Sequence, residues 1–253
     1  MKEPNIESIF LSVVIPAYNE EERIGRTLQN IRQYLARQDY ASEVIVVDDG
    51  SRDQTADKAA EALRAMKNGF LISRRLNVGK GYSVKEGILR SRGDLVLFSD
   101  ADLSTPIEEL ENFLPWMRAG YDVVIGSRGL PESDIQVRQN YVRELMGKTF
   151  NRFVRLFLMT GIPDTQCGFK LFGGAVAREI FRRARTAGFS FDVEVLYLCL
   201  RSGYRIKQVP VCWRNSPPSR VRILKSSVQM LWELIKIRLA HRKHGGISGR
   251  PAA

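Results

Sequence analysis

The stretch Leu95-Val96-Leu97-Phe98-Ser99-Asp100-Ala101-Asp102 decides the reading of this chain. An apolar run ends, after one serine, in two carboxylates. Such a run fits a buried strand, and the acids then stand at its carboxyl end. In extended backbone, residues two apart point the same way, so Asp100 and Asp102 share a face. Hard carboxylate oxygens placed like this suit one shared or flanked divalent cation, Mg²⁺ or Mn²⁺. A second acidic pair, Asp48-Asp49, ends the earlier apolar run Val44-Ile45-Val46-Val47. Two strand ends carrying carboxylates point to a nucleotide-diphosphate site at the edge of an α/β sheet.

Outward from these strands, the pattern alternates. Phe10 to Ile15 reads as a first strand stopped by Pro16, then Glu20 to Arg37 as a helix capped by Asn19. After Asp49-Gly50-Ser51, a helix capped by Ser51 or Asp53 runs to about Met66, and Phe70 to Ser73 reads as a short strand. A helix to Arg90 follows Asn77-Val78-Gly79-Lys80-Gly81. Thr105-Pro106 opens another, with Glu108-Glu109 in its first turn. Tyr121 to Ile125 reads as a strand. This spacing predicts a mostly parallel sheet covered by helices. Beyond Arg128 the pattern loosens: a long helix over Val137 to Met159, extended chain over Gln166 to Phe172, and a helix over Ala175 to Arg185. A further helix over Asp192 to Arg201, capped by Asp192, precedes extended chain over Arg205 to Val211 and a last helix over Val221 to Arg242. No repeat or linker divides the chain.

The 253 residues are 44% hydrophobic, enough for a substantial core. The formal charge of +11, from 39 basic and 28 acidic residues, favours polyanions or an anionic membrane surface. Cys167, Cys199 and Cys212 form no CxxC pattern and fit a reducing compartment. Only His241 and His244 are present, both expected to be exposed in a basic tail, which argues against histidine catalysis or zinc. No apolar run reaches the roughly 20 residues of a membrane span, and the start lacks signal-peptide organisation. The expectation is a cytoplasmic protein, peripherally associated with the cytoplasmic face of a membrane.

Several segments, in this order and spacing, carry a resemblance. They are Val14-Ile15-Pro16-Ala17-Tyr18-Asn19-Glu20, Val47-Asp48-Asp49-Gly50-Ser51, Asn77-Val78-Gly79-Lys80-Gly81 and Asp100-Ala101-Asp102. Gly126-Ser127-Arg128 and Asp164-Thr165-Gln166-Cys167-Gly168-Phe169-Lys170 complete the set. The chain resembles family 2 glycosyltransferases, especially the synthases of polyprenyl-phosphate glucose and mannose, over about residues 9 to 240. The resemblance implies a GT-A fold, a nucleoside-diphosphate hexose donor and a polyprenyl-phosphate acceptor. The chain is expected to divide into an extension (1–8), a catalytic domain (9–219), a basic amphipathic helical extension of it (220–244) and a flexible tail (245–253).

For single residues the resemblance implies the following. Pro16, Tyr18 and Glu20 belong to the donor-binding first loop. Asp49 is a nucleotide contact, although both Asp48 and Asp49 could equally cap the next helix. Lys80 faces phosphate charge between two glycines that let backbone approach the donor. Asp102 meets the metal, and Asp100, with Ala101 between them, supports the ribose or the metal shell. Related mannosyl-transferring enzymes often carry glutamine where this chain has Ser104, which tilts the donor toward UDP-glucose over GDP-mannose. Arg128 and Arg138 meet anionic groups near the reaction centre. Gln166 and Lys170 lie on the acceptor side, and Asp192 and Glu194 near the donor sugar. Arg220 and Arg222, two apart in an extended loop, could aim both guanidiniums at one phosphate.

Between Arg220 and Lys243 there are seven Lys/Arg and one acid, Glu233. The apolar positions Leu224, Val228, Leu231, Trp232, Ile235 and Leu239 share a broad helical face. That face fits either an interfacial membrane helix or a helix packed on the core. Another subunit, or a second copy of the chain, would then supply firmer anchoring.

The expected reaction is hexosyl transfer to a lipid phosphate with inversion. Three other readings compete with it: a soluble family 2 transferase with a non-lipid acceptor, a nucleic-acid binder and a nonenzymatic membrane adaptor. The aromatic residues form no stacking platform and no zinc-finger spacing is present, which argues against nucleic acid. Neither nonenzymatic reading explains the separated carboxylate, glycine and arginine motifs.

Overall fold

The computed structural model describes residues 8–137, 152–154, 158–159, 161–214 and 223–242, with backbone alone for 137 and 223–231. A seven-stranded sheet runs through it in the order β3-β2-β1-β4-β7-β5-β8. The strands are β1 (Leu11–Ala17), β2 (Ser42–Asp48), β3 (Gly69–Ser73), β4 (Leu95–Ser99), β5 (Val123–Ser127), β7 (Phe169–Gly173) and β8 (Ile206–Pro210). A separate two-stranded sheet pairs β6 (Ile135–Val137) with β9 (Trp213–Arg214). The helices are α1 (Ile24–Leu35), α2 (Thr55–Arg64), α3 (Lys80–Arg90), α4 (Leu110–Arg118), α5 (Gly174–Arg183), α6 (Phe191–Arg201) and α7 (Ile223–Ala240).

Every residue of β1 is buried, as expected of a central strand covered on both faces. Its side chains alternate between two cores. Val13 and Ile15 join Leu28, Ile31, Val46 and Phe113 beneath α1 and α4. Val14 joins Val84, Ile88, Phe98, Phe181 and Leu196 beneath α3, α5 and α6. The chain folds β1 to β3 outward on one side of β1, and β4 then pairs on the other. The switch point between β1 and β4 leaves a crevice at their carboxyl ends.

Three expectations change. Pro16 does not stop β1; it pairs with Val47 inside the strand. The ladder with β4 ends earlier, at Val14 and Phe98, so Pro16 lies where that side of β1 is an open edge and a missing donor is tolerated. Asn19 is not a helix cap, for α1 starts only at Ile24. Asn19 instead takes a left-handed φ of 53° and accepts from Arg52 N through its Oδ1 at 2.8 Å, joining the first two loops. The seven-stranded sheet is mostly parallel, as expected, with β7 alone running antiparallel between β4 and β5. Asp192 is no cap either: Ser190 holds the N-cap position of α6, without a side-chain capping bond, and Asp192 is buried. The long helix expected over Val137 to Met159 lies largely outside the described residues.

The described part of the last helix turns one stripe to the core and another to solvent. Leu234, Ile237 and His241 are buried, and Trp232, Ile235 and Leu239, on the opposite stripe, are exposed. His241 is thus not the exposed tail residue expected, because it continues the inward stripe by one further turn.

Candidate active site

The first two loops are laced by backbone-to-side-chain bonds. Asn19 N donates to Ser51 Oγ at 2.9 Å, and Glu20 N to Thr55 Oγ1 at 2.7 Å. Asp48 holds its own turn, accepting from Ser51 N at 3.3 Å and Ser73 Oγ at 3.1 Å. Asp49 reaches across to the glycine segment. It accepts from Val78 N at 3.0 Å, Gly79 N at 2.8 Å and Arg74 Nη1 at 2.9 Å. Asp49 therefore shapes the loop that ends in Lys80. Gly79 has a φ of 115°, a backbone state that favours glycine, and caps α3.

At the end of β4 the acids converge with that loop. Lys80 Nζ lies 2.6 Å from Asp100 Oδ1 as an ion pair, although the buried oxygen receives no well-aligned hydrogen bond. Burial works against the Lys80 charge. The Asp100 and Asp192 carboxylates outweigh it and hold the ammonium more firmly protonated than usual. Asp102 accepts from Ser104 N at 2.9 Å. Burial, then the neighbouring Asp100, pushes the Asp102 carboxyl above its ordinary range. Glu20 is pushed up by burial and by Asp102 and Asp100, against the ion pair with Arg23. Ala101 turns its side chain into the core, and its carbonyl accepts from Thr27 Oγ1 at 2.6 Å. It spaces the two acids and offers a ligand no side chain. Tyr18, 40% exposed, stands at the rim.

A second group forms beyond β5. Arg128 grips Asp164 through Nε to Oδ2 at 2.7 Å and Nη2 to Oδ1 at 2.9 Å, with Arg128 N adding a third bond at 3.0 Å. Burial works against the Asp164 charge, yet the Arg128 guanidinium holds the carboxyl down at about 2. Gln166 N donates to Asp164 Oδ1 at 3.1 Å, so the pair fixes the turn leading to Cys167 and Gly168. Burial raises the Cys167 thiol to about 11, which leaves it no nucleophile. Lys170 Nζ pairs with buried Asp192, and Lys170 and Lys80 both lie over the Phe98 ring, at 5.6 and 5.3 Å.

A small cleft beside Asp100 is lined by Ser99, Leu103, Ser104, Thr105, Gly168 and Trp213 as well. The structure thus gathers Glu20, Lys80, Asp100 and Asp102 at the switch point, with Arg128 and Gln166 on the adjoining turn. Arg138, Arg220 and Arg222 lie outside the described residues. The sequence assigns no role to Gly168, whose lack of a side chain makes room for Asp100, and does not pair His241 with Glu194. Leu234 and Ile237, seven and four residues before His241, carried the signal for the second.

The donor set fits a hard divalent cation. It offers oxygen only, and burial together with the neighbouring Asp100 carboxylate raises Asp102, a cost that a bound cation would offset. Among the described residues no group of three or more His, Cys, Asp or Glu could hold a metal by itself. Two carboxylates suffice where ligand phosphates and water complete the shell.

A switch-point crevice lined with carboxylates, on a mixed sheet between helical layers, is the site of a GT-A glycosyltransferase. Residues 12–181 match the family model described as Glycosyl transferase family 2, and the chain belongs to that family. The dolichyl-phosphate beta-glucosyltransferase of Dictyostelium discoideum is 35% identical over 248 residues, spanning 93% of this chain and 76% of its relative. The Homo sapiens protein of the same name is 35% identical over 245 residues, spanning 91% and 75%. Among solved structures, mannosyl-3-phosphoglycerate synthase from Rubrobacter xylanophilus shares the fold with a TM-score of 0.70 at 21% identity, covering 97% of this chain and 78% of that one. Glucosyl-3-phosphoglycerate synthase from Mycobacterium tuberculosis, in complex with Mn²⁺ and UDP-glucose, superposes with a TM-score of 0.61 at 24% identity, covering 95% and 81%.

Proposed function

We propose that the protein transfers glucose from UDP-glucose to a polyprenyl phosphate of the dolichyl type, inverting the anomeric centre. The observation that carries this is the convergence of Asp100, Asp102, Glu20 and Lys80 at the switch point of a family 2 fold. Relatives named for glucosyl transfer to dolichyl phosphate match across nine-tenths of the chain. Asp100 and Asp102 would hold Mg²⁺ or Mn²⁺; the metal-bound UDP-glucose complex of the Mycobacterium enzyme supports that choice. When bound, the cation supplies positive charge to the diphosphate.

The chain's own residues account for the rest. Lys80, kept protonated, adds charge on the diphosphate side of the crevice. Arg128 and Asp164 hold Gln166 and the Gly168 turn against Asp100. An acceptor phosphate oxygen attacks the anomeric carbon as the bond from that carbon to the diphosphate oxygen breaks, and the electron pair leaves with UDP. A phosphate is already ionised near neutral pH, so no general base is needed. An α-linked donor then gives a β-linked product.

Radiolabelled sugar transfer to a short polyprenyl phosphate tests this, comparing UDP-glucose with GDP-mannose in Mn²⁺, Mg²⁺ and chelator. Lipid product from UDP-glucose, lost in chelator, is expected. Product from GDP-mannose alone would overturn the donor assignment, and sugar transfer only to a non-lipid acceptor would overturn the reaction.

We also propose that the exposed stripe of α7 rests on an anionic membrane surface. Trp232, Ile235 and Leu239 form its apolar strip, with exposed Lys236 and Arg242 on its flanks. No helix among the described residues is long and apolar enough to cross a membrane. Three free cysteines favour the cytoplasmic side. Replacing Trp232 and Leu239 together with glutamate should weaken binding to vesicles rich in phosphatidylserine by about 100-fold or more, the loss of two buried apolar side chains. Transfer to a short detergent-dispersed acceptor should stay near the wild-type rate. Undiminished vesicle binding would remove this surface from consideration.

A further inference from the structure

Glu194 and His241 form a buried pair that the reaction outlined above does not use. Both are almost fully buried, at 1% and 3% exposure, and His241 Nε2 lies 2.7 Å from Glu194 Oε1. The carboxylate also receives backbone N–H groups from Arg185, at 2.9 and 3.0 Å to its two oxygens, and from Thr186 at 2.7 Å. Hydrogen bonds to the charged form keep Glu194 below the ordinary glutamate range in spite of burial.

What these bonds fix is a platform. Ala187 O accepts from Gly81 N at 2.7 Å and Tyr82 N at 3.4 Å, at the first turn of α3. The two chains touch so closely that a Cβ on Gly79 would come within 2.5 Å of Ala187 O, and one on Gly81 within 2.5 Å of Thr186 O. Lys80 lies between those glycines and reaches Asp100. Glu233 of α7 borders the same segment: a Cβ on Gly188 would sit 3.4 Å from Glu233 Oε1. The segment from Arg185 to Gly188 is therefore held from below by α6 and α7 and carries the start of α3 on top.

We propose that Glu194, gripped by His241, is a positioning residue for sugar transfer: it fixes the 185–187 platform and through it the place where Lys80 presents its charge to the donor. The proposal rests on the reading that Lys80 faces the donor diphosphate. It gives α7 a part in the chemistry besides its exposed stripe, because one face of the helix carries Trp232 and Leu239 while the opposite face ends in His241. A buried carboxylate with three polar partners has two ways to fail, by loss of charge or by loss of the imidazole, and each should loosen the same platform.

The test is a double-variant cycle read by UDP affinity in Mn²⁺ and by KM for UDP-glucose. Glu194→Gln, His241→Gln and Lys80→Ala are measured singly, with Glu194→Gln and Lys80→Ala also combined. Glutamine keeps the volume and some of the hydrogen bonds, so both replacements should fold; a melting curve checks each. Glu194→Gln and His241→Gln should each weaken UDP binding by about ten-fold, as expected for a charge-assisted hydrogen bond removed at one remove. KM for the lipid phosphate should stay unchanged. In the Lys80→Ala background, Glu194→Gln should cost no further UDP affinity. Additive losses, or wild-type UDP affinity in a folded Glu194→Gln protein, would overturn the proposal. If Lys80→Ala itself leaves UDP affinity intact, the reading of Lys80 fails first and the positioning role falls with it.

Discussion

Asp102→Asn should lower sugar transfer by about three orders of magnitude, the equivalent of about 4 kcal/mol of lost charge stabilisation. The same replacement should leave the metal-free protein as stable as the parent or slightly more so. Both signs follow from one environment. Asp102 is largely buried beside Asp100, and both effects push its carboxyl above the ordinary range. The fold therefore disfavours the charge that a divalent cation requires. Asparagine removes that charge, and its side-chain oxygen can still accept from Ser104 N, which lies 2.9 Å from Asp102 Oδ1. Opposed changes in stability and activity mark a residue kept for chemistry. The check is a melting curve without metal beside a Mn²⁺ titration of transfer. Chelator should bring the wild-type rate down to the level of the variant and leave the variant unchanged. Strong Mn²⁺ stimulation of Asp102→Asn would show that the cation is held elsewhere.

The features legible in the sequence were those with a local signature. Apolar runs ending in acids located β2 and β4 because a strand buried on both faces must be apolar throughout, and its end is where polar groups can return. Asp100 and Asp102 were legible for the same reason. Strand direction was not: Phe169 to Gly173 reads as extended whichever way it runs, and only its insertion between β4 and β5 makes it antiparallel. Nor was the start of α1 legible. Asn19 has the chemistry of a cap, but Arg52 N, 33 residues away in sequence, takes its side chain, and the helix begins later. Lys170 was legible as a member of the acceptor-side motif, but its pairing with Asp192 was not. Asp192 looked like a cap because it opens α6, whereas its contact lies on β7. Long-range pairs of this kind leave no spacing in the sequence to read.

Gly168→Ala should lower transfer by about 100-fold while moving the melting temperature little, and it should do so through Asp100. Gly168 immediately precedes β7, and its carbonyl accepts from Asp100 N at 3.0 Å, continuing the β4–β7 ladder by one rung. A Cβ there would lie 1.9 Å from Asp100 Oδ2 and 2.2 Å from its Cγ. Both cannot occupy that space. Rotating the Asp100 carboxylate is easier than shifting two strands, so the fold survives while Asp100 swings away from Lys80. A displacement of about 1 Å in a positioned group costs about 100-fold in rate. Because the two residues act on one carboxylate, their effects must not add. The double variant Gly168→Ala with Asp100→Ala should transfer sugar no more slowly than Asp100→Ala alone, since alanine at 100 has no carboxylate to displace. Gly168→Ala with the wild-type rate would mean that Asp100 can turn without consequence, and the carboxylate would lose its place in the site. A further loss in the double variant would instead assign Gly168 a role of its own, as backbone against the ligand. The family motif kept a glycine at this position in the sequence reading, with no reason attached. The structure supplies one, steric rather than conformational: the glycine is needed for the room its missing side chain leaves to Asp100.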